Sequence, residues 1–154
     1  MNDNAEPGKI RAAAEAYFRS GGYNCAESVL KALMEGLQLD VPAQMLKAAS
    51  GFGGGIGGMG CTCGALTGGV MAIGLVYGRT EAGDPAVRRA RELSGRLYQS
   101  FCEKHHSPYC RELTCSLEPG TPERKNQCAA LTGETAYEAA RLILEARKDE
   151  MARG

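Results

Sequence analysis

Cysteine is the residue type in this chain with the clearest capacity for chemistry. Seven cysteines occur in 154 residues, and they are Cys25, Cys61, Cys63, Cys102, Cys110, Cys115 and Cys128. An odd number cannot pair completely within one chain. The first six residues lack a basic start followed by an apolar run, so we expect a cytoplasmic protein whose ordinary thiols stay reduced. The cysteines therefore indicate metal ligation or catalytic thiol chemistry.

Cys61 and Cys63 follow a segment, Ser50 to Gly60, in which glycine occupies seven of eleven positions. The apolar run after them predicts a helix to Gly78, which places both thiols at a helix N-terminus where negative charge is favoured. A thiolate there has a lowered pKa. The predicted backbone N–H donors to sulfur are Gly53, Gly54, Gly55, Gly57 and Gly60. The simpler interpretation, that Cys63 is a small buried apolar residue, remains open.

Cys25 has a similar predicted position. Asn24 followed three residues later by Glu27 is typical of a capping box, so Cys25 falls in the first turn of a second helix. Two thiols are thus placed independently at positive helix ends.

Several other motifs are weaker. Gly55-x-Gly57-x-x-Gly60 matches a dinucleotide fingerprint in form, but no strand precedes it and no acidic residue follows in a βαβ context. Zinc is a lesser alternative, since Cys102, Cys110 and Cys115 with the adjacent histidines contain no Cys-x-x-Cys pair. His105 and His106 fit a helix C-terminus better than a metal site.

Two runs carry a family resemblance. Phe52-Gly53-Gly54-Gly55-Ile56-Gly57 and Cys63-Gly64-Ala65-Leu66-Thr67-Gly68 resemble the C-GCAxxG-C-C family of redox-active proteins. Asn24-Cys25-Ala26, Cys110-Arg111-Glu112-Leu113 and Cys128 follow the order of that family. The family name writes Gly-Cys-Ala, whereas this chain has Cys63-Gly64-Ala65 with Cys61 close by.

The resemblance implies a redox function and four working sulfurs, those of Cys25, Cys63, Cys110 and Cys128, with Cys61 as a further candidate ligand. A related domain in split-Soret cytochromes carries an iron–sulfur centre. Four cysteines also suit a [2Fe–2S] or a [4Fe–4S] cluster, and we favour [2Fe–2S]. Cys102 and Cys115 are expected to be bystanders.

Three functions follow in order of preference. The first is electron transfer through an iron–sulfur centre, with a donor and an acceptor that the sequence does not identify. The second is a metal-free thiol–disulfide oxidoreductase in which Cys63 is the attacking thiolate. The third is a binding module with structural zinc or no cofactor.

The elements that must position these residues are helical. We expect an all-α protein, a single-domain bundle of about five or six helices over residues 1–154, with residues 1–8 flexible and a glycine-rich loop leading into a buried central helix. The predicted helices are Ile10 to Arg19, Cys25 to Leu37, Pro42 to Ala49, Cys61 or Cys63 to Gly78, Asp84 to Lys104, and Thr135 to Lys148, the last opened by a Thr135–Glu138 capping box.

Charge and hydropathy exclude some partners. Lys plus Arg equals Asp plus Glu at 18 each, so we expect no nucleic acid or anionic lipid. The apolar run Gly64 to Tyr77 is roughly 14 residues where about 20 are needed to cross a bilayer, so no membrane insertion is expected. Gly64, Gly68 and Ala72 share one helix face that would let another backbone approach, which makes a homodimer a further expectation.

Overall fold

Six α-helices and one 3₁₀ segment make up the computed structural model, which describes residues 1–154. The helices are α1 (Pro7–Arg19), α2 (Cys25–Gly36), α3 (Gly64–Tyr77), α4 (Val87–His105), the single turn α5 (Cys110–Leu113) and α6 (Pro122–Arg153), and the 3₁₀ segment is Ala43–Phe52. No strand is present, although an isolated antiparallel bridge pairs Thr62 with Tyr109. The prediction of an all-α fold is confirmed.

The core lies where α2, α3 and α6 meet. The 32-residue α6 runs through the molecule and packs against α1, α2, α3 and α4. Most of the largest fully buried side chains, including Leu30, Leu33, Ile73, Leu142 and Ile143, come from these three central helices, and α1 and α4 add Ile10, Leu93 and Leu97. Burial of apolar stripes on neighbouring helices is what makes these segments stable as helices.

The glycines of α3 are used inside the chain. A Cβ added at Gly64 would lie 2.3 Å from the sulfur of Cys25, and one at Gly68 would lie 2.5 Å from the carbonyl oxygen of Ala26. Gly64, Gly68 and Ala72 are all buried. The face on which we based the expectation of a homodimer is therefore occupied by α2 and is not free for a second copy.

The capping box at the start of α2 is formed as predicted. The Asn24 side-chain oxygen accepts from the Glu27 N–H at 2.8 Å, and a Glu27 carboxylate oxygen accepts from the Asn24 N–H at 2.8 Å. Asn24 also donates through Nδ2 to the Ser50 carbonyl, and the Ser50 hydroxyl donates to Glu27. The cap therefore holds the end of the 3₁₀ segment against the first turn of α2.

The predicted start of the last helix is wrong. The helix begins at Pro122, with Thr121 as its N-cap, rather than at Thr135. Thr135 is buried in the middle of α6 and its hydroxyl donates to the Leu131 carbonyl at 2.7 Å. Threonine followed by proline is itself a strong start signal, because proline needs no N–H partner at the first helical position.

None of the helices combines the length and the hydropathy that a bilayer-spanning segment requires.

Candidate cysteine site

Four cysteines from four separate elements line one cavity of about 190 Å³, here called the cysteine cavity. Cys25 is the first residue of α2, Cys63 is the N-cap of α3, Cys110 is the first residue of α5, and Cys128 lies in α6. For comparison, an engineered apolar cavity of about 150 Å³ accepts benzene or xenon. The space is thus large enough for a group bigger than one ion.

The rest of the lining is mostly apolar. Phe18, Leu113 and Leu131 contribute to the wall, and Arg124 is the one charged residue in it. Thr132 also lines the cavity, is 0% exposed, and its hydroxyl has no hydrogen-bond partner. A buried hydroxyl without a partner costs free energy.

Backbone N–H groups approach two of the sulfurs. The nearby N–H groups of Gly54 and Ala26 act to lower the pKa of Cys25. Those of Ala65 and Leu66, in the first turn of α3, act in the same way on Cys63. Such donors stabilise negative charge on sulfur.

The other predicted loop donors act differently. The N–H groups of Gly57 and Gly60 donate to the carbonyls of Gly51 and Gly54, at 2.8 and 3.0 Å, so their predicted donation to sulfur is wrong. These hydrogen bonds close tight turns of the loop, so the N–H groups of Gly57 and Gly60 are used within the loop itself.

Gly53 and Gly55 allow the loop to lie very close to neighbouring residues. A Cβ at Gly53 would lie 3.0 Å from the Asn24 side chain, and one at Gly55 would lie 2.7 Å from the Cys110 Cβ. The loop can therefore lie directly against the residues that begin α2 and α5.

The prediction that Cys63 has a low pKa is wrong for the chain without a ligand. Burial, with the nearby thiols of Cys25 and Cys110, raises the pKa of the Cys63 thiol to about 12, although the N–H groups of Ala65 and Leu66 act to lower it. Burial also raises the pKa of Cys25 and of Cys128, and in each case Cys110 adds to the shift. Desolvation of a thiolate thus outweighs the field of the helix N-terminus.

This raised pKa has a measurable consequence for alkylation. A shift from 9.0 to about 12 lowers the thiolate fraction near pH 8 about 1000-fold. We expect Cys63 in the ligand-free protein to react with iodoacetamide far more slowly than an ordinary cysteine, and its rate to rise about tenfold per pH unit until pH approaches 12. Peptide mass spectrometry after timed labelling measures this rate, and urea-unfolded protein is the control. Rapid labelling of Cys63 at pH 7 in the folded chain would contradict the burial argument.

The remaining cysteines lie outside the cysteine cavity. Cys61 does not line it, although its carbonyl accepts the Cys110 N–H at 2.7 Å. Cys102 lies in α4 beside the Tyr98 hydroxyl, and Cys115 is exposed. No three His, Cys, Asp or Glu side chains form a group that could hold a metal ion, so neither zinc nor a cluster has a preformed ligand set.

Neither histidine reaches the sulfurs. His105 pairs with Glu134 at 3.2 Å, and burial lowers the pKa of His105 even though Glu134 acts to raise it. His106 ends α4 in a left-handed conformation, with its N–H on the Cys102 carbonyl, as expected of a helix C-cap.

Cys128 was expected at the site from the sequence, but the other residues that α6 adds to the cavity wall were not. Arg124, Cys128, Leu131 and Thr132 are spaced four, three and one residues apart, the spacing of a single helix face. That pattern becomes visible only when the helix is taken to begin at Pro122, and the predicted start at Thr135 concealed it.

Comparison with known proteins agrees with the resemblance in the sequence. Residues 23–142 match the model of a family described as "Putative redox-active protein (C_GCAxxG_C_C)". A protein of Archaeoglobus fulgidus, named "Uncharacterized protein", is 31% identical over 134 residues, covering 82% of this chain and 86% of that protein. No solved structure matches the chain. The chain belongs to the C_GCAxxG_C_C family of redox-active proteins.

Proposed function

We propose that the cysteine cavity binds an iron–sulfur cluster and that the protein transfers electrons through it. The observation that carries the proposal is the convergence of Cys25, Cys63, Cys110 and Cys128, which are far apart in sequence, on one cavity of about 190 Å³. The redox description of the family supports the same class of function.

The donor set fits such a group. Four cysteine thiolates are the usual ligands of [2Fe–2S] and [4Fe–4S] clusters, and the cavity wall contains no histidine or carboxylate. A single zinc ion would need sulfurs about 2.3 Å from one point, hence about 3.8 Å from each other. No preformed group that could hold a metal ion is present, so the proposal rests on the shared cavity and on the chemistry of its four thiols.

The raised pKa values are consistent with a cationic occupant. Burial keeps the thiols of Cys25, Cys63 and Cys128 protonated in the ligand-free chain. Metal ions deprotonate the thiols that coordinate them, so these side chains release protons when they bind. A bound iron–sulfur cluster would supply reversible one-electron chemistry.

Nearby groups then balance the charge of the sulfurs. The N–H groups of Gly54 and Ala65 act to lower the pKa values of Cys25 and Cys63, and Arg124 lowers the pKa of Cys128 by its positive charge. Thr132, whose buried hydroxyl has no partner, belongs to the same wall. Donors and cations around the sulfurs raise a reduction potential, and the apolar wall excludes water.

Anaerobic reconstitution tests the proposal. Protein that has been reduced and supplied with ferrous iron and sulfide is expected to turn brown, with visible absorption that bleaches on addition of dithionite. Iron analysis should give about two atoms per chain for the favoured [2Fe–2S] cluster, or about four for [4Fe–4S].

Two results would contradict a cluster. A colourless protein holding stoichiometric zinc would support the structural-zinc alternative. A colourless, metal-free protein that exchanges thiols with a small disulfide would support the thiol–disulfide oxidoreductase.

A further inference from the structure

Cys61 lies beside the cysteine cavity, but the proposed function assigns it no role. It is half-buried, and it lies in the short two-stranded contact centred on the bridge between Thr62 and Tyr109. In that contact the Cys110 N–H donates to the Cys61 carbonyl at 2.7 Å, and the Cys63 N–H donates to the Pro108 carbonyl at 2.7 Å. These two hydrogen bonds flank the bridge and define its register.

The register places Cys61 directly opposite Cys110. Directly opposite residues in an antiparallel contact have Cα atoms about 4.5 to 5.5 Å apart. One backbone hydrogen bond joins this pair, because the Cys61 N–H donates to the Gly55 carbonyl at 2.9 Å and Cys110 is the first residue of α5. Disulfides form between residues whose Cα atoms are about 4.4 to 6.8 Å apart. The backbone separation of this pair is therefore suitable for a disulfide.

Gly55 makes the close contact possible. A Cβ at this position would lie 2.6 Å from both the N and the O of Cys61 and 2.7 Å from the Cys110 Cβ. Gly55 therefore lies against both residues, and its backbone, with φ of 72°, is in the left-handed region that favours glycine.

We propose that Cys61 and Cys110 form a reversible disulfide when the cluster-free protein meets a peroxide. One thiolate attacks the peroxide to give a sulfenic acid and a first water, and the other thiolate displaces a second water as the S–S bond forms. Overall, two thiols and one hydrogen peroxide give one disulfide and two waters. The two sulfurs are oxidised, the peroxide is reduced, and a thiol reductant reverses the change.

The disulfide would occupy one of the four sulfurs of the cysteine cavity. If the proposed function holds, oxidation at this pair prevents loading of the cluster until the pair is reduced. This consequence rests on the proposed function, but the formation of the disulfide does not.

Peptide mapping tests the pair directly. The reduced, cluster-free full chain is treated with one equivalent of hydrogen peroxide, alkylated, and digested with trypsin without reduction. We expect the peptide 48–79 to be linked to the peptide 105–111 through Cys61 and Cys110, as assigned by fragmentation, and five of the seven cysteines to remain open to alkylation after unfolding.

Two variants make the result decisive. Cys61→Ser should lose the link and leave Cys110 open to alkylation, while Cys102→Ser, which lies on α4, should keep it; circular dichroism checks that both variants are folded. A link through Cys63, a link from Cys110 to Cys25 or Cys128, or over-oxidation of Cys61 without a link would overturn the proposal. If the chain never binds iron, the peptide map still shows whether the disulfide forms. A failure of the proposed function can therefore be told apart from a failure of the disulfide proposal.

Discussion

Replacing Cys63 by serine is expected to abolish the visible absorption of the iron-reconstituted protein. Cys63 caps α3 and is 7% exposed on the wall of the cysteine cavity. Serine has nearly the same shape, but its hydroxyl does not replace a thiolate as an iron ligand. Loss of groups that only support a ligand weakens metal binding about 10- to 100-fold, so loss of a ligand should cost at least about 100-fold.

The measurement is iron content per chain together with the visible spectrum after anaerobic reconstitution. Cys115→Ser is the matched control, because Cys115 is exposed and lies outside the cavity. The far-ultraviolet circular dichroism of both variants should match that of the original protein. If Cys63→Ser retained full iron and colour, Cys63 would not be a ligand and the site would need reassignment.

Gly68→Ala is expected to destabilise the fold by about 2 to 3 kcal/mol. Its Cβ would lie 2.5 Å from the Ala26 carbonyl oxygen and 3.1 Å from the Val29 Cβ, so α2 and α3 must move apart. Overpacking of this kind costs about 1 to 3 kcal/mol, and more where backbone is displaced. Alanine's greater helix propensity offsets this by about 1 kcal/mol at most.

Urea and thermal unfolding of the ligand-free protein measure the effect. For a chain of this size, the expected loss corresponds to a fall in Tm of roughly 5 to 10 °C. Gly74→Ala is the control on the same helix, since nothing lies within 4 Å of its added Cβ. It should leave stability unchanged or raise it by up to about 1 kcal/mol. Equal destabilisation by both substitutions would show that the α2–α3 contact is not the cause.

Local interactions explain which parts of the fold could be predicted. The capping box of Asn24 and Glu27 depends on residues three apart, and it is present in the structure. Glycines shortly after Arg19 and Tyr77 likewise act only on the turn in which they lie, and α1 and α3 end there. Such signals need no knowledge of distant contacts.

Longer-range packing explains why the start of α6 was predicted at the wrong residue. Thr135 and Glu138 have the pattern of a cap, yet Thr135 is buried within α6 and Glu138 pairs with Arg141. A helix that packs against four others continues through a local start signal, because burial of its faces outweighs a cap worth about 1 kcal/mol.

The sequence by itself determined the supply of thiols, the residues that cap the helices, and the motif that places the chain in its family. The family resemblance named the four cysteines, but only the tertiary structure decided that they share one cavity and that Arg124 and Thr132 join them. It also decided the sign of the Cys63 pKa shift. The reason is that local geometry sets caps and turns, whereas desolvation and approach through space depend on atoms contributed by distant parts of the chain.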